Sequence, residues 1–292
     1  MKFLTQNIDI WHLSNFKTPA KTQYFLHVQS NEQSGQIFQS IQYIREKWLP
    51  YIILTGGTNS LFAFDTFPWL LIYIDIHGWR YDLDTKILSC SAADKIWDIA
   101  EVLETQYGQD LWHRFIGLPG SIAGAIYGNA GCFGLETENN FLDVEVLCLE
   151  SWEIFTFSKD DMDFSYRNSR LKKEKKYCIL HARFDLSEKK EKYSSDVDNI
   201  KFREEIQPKG NSCGSFFKNP SKQQSAGYLI EQVWLKWYHL GWAYFSEKHA
   251  NFLMHDGQWT YEDLLLLIEL AQKKVQEQFW ILLEPEVQII LP

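Results

Sequence analysis

Cysteine is scarce in this chain of 292 residues. The five are Cys90, Cys132, Cys148, Cys178 and Cys213, and no two form a Cys-x-x-Cys pair, so the spacing gives no zinc site. An odd number among strand-like neighbours points to reduced, mostly buried thiols, and a nucleophilic role lacks an identified base. A basic excess is also missing. The formal net charge is −9, which argues against nucleic acid as partner. An anionic substrate stays open, because a few local cations can hold a diphosphate. Long apolar runs are absent. Trp69 to Ile76 is the strongest in the first third, far short of the roughly 20 residues of a membrane span. The start, Met1 to Asn7, does not read as a signal peptide, so a cytoplasmic protein is expected. There is no internal repeat and no low-complexity tract. The Gly-x-Gly-x-x-Gly dinucleotide fingerprint and the Walker P-loop are both missing.

Glycine is present and concentrated. Residues 117 to 134 hold six of the chain's 16 glycines, interleaved with small or apolar residues, one Asn and no charge. A flexible linker would be Ser-rich and poor in Ile and Tyr. This composition suits main chain packed closely against a large flat ligand, with N–H groups as donors, or a glycine-rich core loop. A second site follows the strand-like run Tyr51 to Leu54. There Thr55-Gly56-Gly57-Thr58-Asn59-Ser60 can form an anion-binding nest, although turns of this composition are common.

Periodicity predicts a helix over 34–48 through Ile37, Phe38, Ile41, Ile44 and Trp48. Another runs over 94–107 and stops at Gly108. Strands are expected at 69–76, 86–92, 144–149, 153–157 and 177–184, with 144–149 and 153–157 as a hairpin. The charged stretch 187–206 reads as solvated loop, with a domain boundary near 200. Beyond it, 228–236 looks helical. A Thr260-x-x-Asp263 capping box opens a helix with Leu264, Leu267, Ile268, Ala271 and Val275 on one side. A final strand is expected over 286–291. This order fits an α+β protein. Twelve tryptophans are many, and most are expected in the core or in packing.

The glycine segments, in this order, resemble the flavin-binding half of the UDP-N-acetylenolpyruvoylglucosamine reductase family. The resemblance continues through Phe164-Ser165-Tyr166-Arg167-Asn168-Ser169 and through Arg203 with Gln207-Pro208. It continues in Gly214-Ser215-Phe216-Phe217-Lys218-Asn219-Pro220, Ala226 to Gln232, Ser246-Glu247-Lys248-His249-Ala250-Asn251-Phe252 and Leu283-Glu284-Pro285-Glu286-Val287. It spans nearly the whole chain. It implies a two-lobed FAD-binding domain of the vanillyl-alcohol-oxidase type at 1–200, with lobes of about 1–76 and 77–200. A smaller α+β substrate-binding domain at 201–292 follows, its last strand bringing back Glu286.

The implied activity is reduction of UDP-N-acetylenolpyruvoylglucosamine to UDP-N-acetylmuramate for peptidoglycan, by a cytoplasmic monomer using FAD and NADPH, with no metal and no membrane partner. Ser215 is the implied proton donor. Arg167 stabilises developing carboxylate charge, and Glu286 assists if it faces inward rather than Glu284. Tyr166, Lys218, Asn219 and His249 are implied substrate contacts, with Lys248 beside them. Gly56, Gly57, Thr58, Asn59, Ser60 and Leu61 are assigned to the FAD pyrophosphate. Pro119, Gly120, Ser121, Gly124, Asn129 and Gly131 are assigned to the flavin ring and its linker. Trp237 stands where the family has the glycine of Leu-Lys-Gly, and Trp242 where it has the second of a Gly-Gly pair. Only Ser221 to Ser225 separates Pro220 from Ala226, as in the family's short form. Two other readings are a flavin-dependent oxidase of a small molecule and a flavin-binding protein without turnover.

Overall fold

The computed structural model describes residues 3–187, 199–257 and 261–292. The chain forms two compact units. The first comprises 1–6, 24–56 and 69–200; the second comprises 7–23, 57–68 and 201–292. Residues 7–23 and 57–68, assigned from sequence to the first domain, therefore cluster with the C-terminal unit.

The first unit contains most of a four-stranded sheet and all of a five-stranded one. In the four-stranded sheet, Tyr51–Leu54 pairs parallel with Thr66–Ile74. The helix Ser34–Glu46 buries Ile37, Ile41 and Ile44 in the same core as Leu70, Ile72 and Ile74. The five-stranded sheet is antiparallel. Phe141–Cys148 pairs with Ile154–Ser158 on one side and Tyr177–Asp185 on the other, and Tyr177–Asp185 continues to Ile87–Ser91. The helix Ile96–Tyr107 ends at Gly108, whose φ of 63° is the left-handed turn that releases a helix end.

In the second unit, three short antiparallel strands, His239–Leu240, Ala243–Phe245 and Leu253–His255, share a core with the helix Tyr261–Phe279. That helix buries Leu264, Leu267, Ile268, Ala271 and Val275, the stripe its 3.6-residue period specifies. Gln288–Ile290 pairs parallel with Ser60–Phe62.

Three expectations are corrected. Residues 199–206, read as loop, form the helix Asn199–Ile206. Ile200 packs on the first unit's core and Arg203 is buried, so these two side chains override the charged composition. The rest of that stretch, 188–198, and Thr260 of the capping box lie outside the described residues. The last strand starts at Gln288, so Glu286 sits in a bend before it. Most tryptophans are not core. Trp112 is enclosed, whereas Trp48 is 94% exposed and Trp234 and Trp280 are each 86% exposed.

Candidate functional site

In the first unit the two glycine segments meet at Ser121. Its hydroxyl is shared with Thr55 Oγ1 at 2.8 Å and accepts from Gly124 N at 3.1 Å and Gly56 N at 3.4 Å. A Cβ on Gly56 would stand 3.3 Å from Ser121 N, so the end of strand Tyr51–Leu54 approaches this turn closely. Gly56, Pro119 and Gly124 are exposed, and Gly120 has φ 150°. This exposed main chain, free of bulky side chains, fits the flat group and pyrophosphate implied by the sequence.

Two assigned cofactor contacts also have internal duties. Asn129 is fully buried; its Nδ2 donates to Ser165 O at 3.2 Å and its Oδ1 accepts from Glu138 N at 3.1 Å. Ser121 is 3% exposed and its hydroxyl is spent as above. Gly131 admits no side chain, because a Cβ there would lie 2.7 Å from Glu136 Cγ and 2.8 Å from Leu135 O.

Arg167 is drawn onto this loop. Its guanidinium donates to Gly131 O at 2.8 Å and reaches Asn129 O at 3.5 Å. It lies 5.1 Å from the centre of the Tyr166 ring, a cation–π distance. Its backbone has φ 55°, and Lys172 Nζ donates to its carbonyl at 3.0 Å. A non-glycine residue held in this region stores strain, a feature that clusters at functional sites.

In the second unit the segment Gly214–Pro220 runs between two others. On one side Ser215 bridges Phe252, and Phe216 N donates to Asn251 O at 2.7 Å. On the other, Glu286 N donates to Phe216 O at 2.7 Å and Lys218 N to Glu284 O at 2.9 Å. Phe216 and Phe217 are buried, while Ser215 stays half-buried. Among the described residues the Ser215 hydroxyl has no hydrogen-bond partner. Glu286 is half-buried, and Glu284 is exposed and pairs with Lys218 Nζ at 3.1 Å. Of the two, Glu286 is the less exposed residue. The turn 57–60 joins the same framework. Asn59 Nδ2 donates to Glu286 O at 3.0 Å, and Asn59 O accepts from Gln288 N at 2.9 Å. Leu61 is a core residue and Ser60 is buried, so neither offers a side chain to a ligand.

Asn219 is exposed, but its Oδ1 accepts from Ala226 N at 3.0 Å, at the start of the helix Ala226–Gln232. His249 is half-buried. Its Nδ1 accepts from Asn251 N at 3.2 Å, which puts the proton of the neutral ring on Nε2. Burial holds its pKa below the usual histidine value. Burial pushes the Cys213 thiol up to about 12, and its Sγ donates to Ser60 O at 3.5 Å, so it is no nucleophile. Thr55 and Asn251 were missed from sequence. Each lies inside a segment singled out there, and only the fold shows what its side chain holds.

An α+β chain of two units, with exposed glycine turns in one and a clamped Ser-Phe-Phe-Lys segment in the other, has the parts of a nucleotide-cofactor enzyme. Comparison with known proteins is specific. The model for the UDP-N-acetylenolpyruvoylglucosamine reductase C-terminal domain matches residues 207–290. The UDP-N-acetylenolpyruvoylglucosamine reductase of Fervidobacterium nodosum is 34% identical over 94% of this chain and 88% of that protein. That of Caldicellulosiruptor bescii is 34% identical over 95% of this chain and 87% of that protein. The chain belongs to the UDP-N-acetylenolpyruvoylglucosamine reductase family. The crystal structure of the reductase from Thermus caldophilus shares its fold, with a TM-score of 0.79 at 24% identity over 99% of this chain and 100% of that one. No described helix is long and apolar enough to cross a membrane.

Proposed function

We propose that this protein reduces UDP-N-acetylenolpyruvoylglucosamine to UDP-N-acetylmuramate, an FAD-dependent step of peptidoglycan precursor synthesis, acting as a cytoplasmic monomer. FAD, when bound, supplies the hydride equivalent that NADPH provides. Thr55, Gly56, Pro119, Gly120, Gly124 and Gly131 hold it through main chain, and Gly57, Thr58 and Asn59 supply turn N–H groups to its diphosphate.

Addition of hydride to the vinyl carbon leaves negative charge on its neighbour, delocalised into the carboxylate. Ser215 gives its hydroxyl proton to that carbon, and the alkoxide is reprotonated from solvent. A serine is a weak acid, but an enolate is a strong enough base to take its proton. Arg167 contributes two parallel, permanently charged donors to the carboxylate as its charge grows. Glu286 orients the acceptor. Tyr166, Lys218, Asn219 and His249 bind the sugar nucleotide.

The observation that supports this reading most is the Gly214–Pro220 segment. Its main chain is tied on both sides while the Ser215 hydroxyl is unpartnered among the described residues. Anaerobic stopped-flow on the flavin band tests it. After reduction with NADPH, mixing with the enolpyruvyl sugar nucleotide reoxidises the flavin and yields UDP-N-acetylmuramate. A flavin that stays reduced with the sugar nucleotide, yet reoxidises in air, refutes the proposal and favours an oxidase.

A further inference from the structure

Asn251 has no assigned part in the chemistry, yet its side chain does what a neighbouring strand would do. It is 2% exposed. Its Oδ1 accepts from Phe217 N at 2.9 Å and its Nδ2 donates to Phe217 O at 2.8 Å. One side-chain amide thus satisfies both main-chain groups of a residue that is itself 1% exposed. The asparagine's own carbonyl takes Phe216 N, while Phe216 O takes Glu286 N. Every main-chain polar group of the two residues after Ser215 is therefore fixed. We propose that Asn251 is the positioning residue of Ser215, locking the Phe216–Phe217 main chain so that rotation about χ1 is the serine's main remaining freedom. Leucine at 251 would leave two buried polar groups unpaired. Aspartate would keep the bond from Phe217 N, but its carboxylate could not donate to Phe217 O.

This rests on Ser215 as proton donor, and one experiment separates the two ideas. Asn251→Ala, Asn251→Asp, Ser215→Ala and the Asn251→Ala/Ser215→Ala double variant are compared by stopped-flow in both half-reactions. Asn251→Ala is expected to slow sugar-nucleotide reduction about 10–100-fold, the scale of a misplaced reacting group. KM and the rate of flavin reduction by NADPH should stay unchanged. Asn251→Asp should fall between, and it serves as the probe if the alanine variant does not fold. On top of Ser215→Ala, loss of the amide should cost nothing further. A normal rate in both Asn251 variants with Ser215→Ala stalled, equal slowing of both half-reactions, or an added loss in the double variant overturns the positioning role. A normal rate in Ser215→Ala overturns the reading beneath it.

An independent observation concerns tryptophan. Among the described residues thirteen non-glycine residues have positive φ, and five are tryptophan: Trp48, Trp152, Trp234, Trp237 and Trp280. Bulky side chains avoid this region, which belongs to glycine and less often to asparagine or aspartate. Trp280 directly follows the helix Tyr261–Phe279, as Gly108 follows Ile96–Tyr107, Trp48 and Trp234 come one residue later after Ser34–Glu46 and Ala226–Gln232, and all three rings stand in solvent. No burial offsets the backbone cost at the three helix ends. We infer that the cell making this protein inserts glycine at these five positions, through a codon read there as glycine and elsewhere as tryptophan. Peptide mass spectrometry of the protein from its own source should find glycine at all five. The fivefold Trp→Gly chain should melt higher than the tryptophan chain. Native peptides carrying tryptophan, or a fivefold variant that melts lower, overturn this.

Discussion

The glycine segment of the first unit and the Ser215 segment of the second spend their hydrogen bonds in opposite ways. In the first, side chains are consumed. The Asn129 and Ser121 side chains are spent on main chain within the unit, the Arg167 guanidinium gives only part of its donors to Gly131 O and Asn129 O, and the other outward groups are backbone at Gly56, Pro119 and Gly124. In the second, the backbone is consumed. Phe216 and Phe217 are tied on both sides, and the Ser215 hydroxyl is left over among the described residues. A surface that recognises a flat cofactor needs main chain without side chains in the way. A proton donor needs one side chain aimed by an immobile main chain. The two motifs are thus two solutions to the accounting of polar groups.

The sharpest test of the contrast is Ser215→Ala. If the second segment exists to present that hydroxyl, its loss should slow sugar-nucleotide reduction by about 10²–10⁴-fold, the usual worth of a positioned acid. The reductive half-reaction and the melting temperature should hardly move, because no described bond involves Ser215 Oγ. Arg167→Ala is expected next, at about 10²–10³-fold in kcat/KM. It also removes a donor from Gly131 O, so some stability should go with it, unlike the serine variant. Thermal melts beside the kinetics would show whether activity and stability part company in one unit and fall together in the other.

Gly131→Ala tests the first unit as scaffold. The added methyl meets Leu135 O, which is main chain and cannot swing away, as well as Glu136 Cγ. Overpacking of this kind costs about 1–3 kcal/mol. Denaturant unfolding should show that loss, with bound flavin lost in parallel. A variant as stable as the parent would mean that this loop is loose and that its glycines serve the ligand alone.

Much of this was legible in the sequence, because periodicity and turn chemistry are local. The stripe from Leu264 to Val275 and the stop at Gly108 follow from spacing alone. The helix Asn199–Ile206 was hidden, since its anchors are one apolar residue and one buried arginine amid charges. The site was legible as motifs but not as duties. Nothing local distinguishes Asn129, turned inward, from Asn59, which pins Glu286 from 227 residues away. Asn251 was quoted as part of a motif, yet its grip on Phe217 spans 34 residues and only folding reveals it.

The smallest effect expected is a pH dependence at His249, on the same segment as Asn251. Burial lowers its folded pKa; Glu231 pulls it back up, and Lys236 pushes it down with burial. The unfolded histidine therefore takes up a proton first as pH falls. Its contribution to stability is fully present above the unfolded value near 6.5 and is lost as pH drops towards the folded value. Melting temperatures measured from pH 7.5 to pH 5 should fall more steeply for the parent than for His249→Gln, which cannot titrate. Equal slopes would mean that the folded ring takes up its proton at the same pH as the unfolded one, so that the fold does not select the neutral Nε2–H donor that the Asn251 N–H favours.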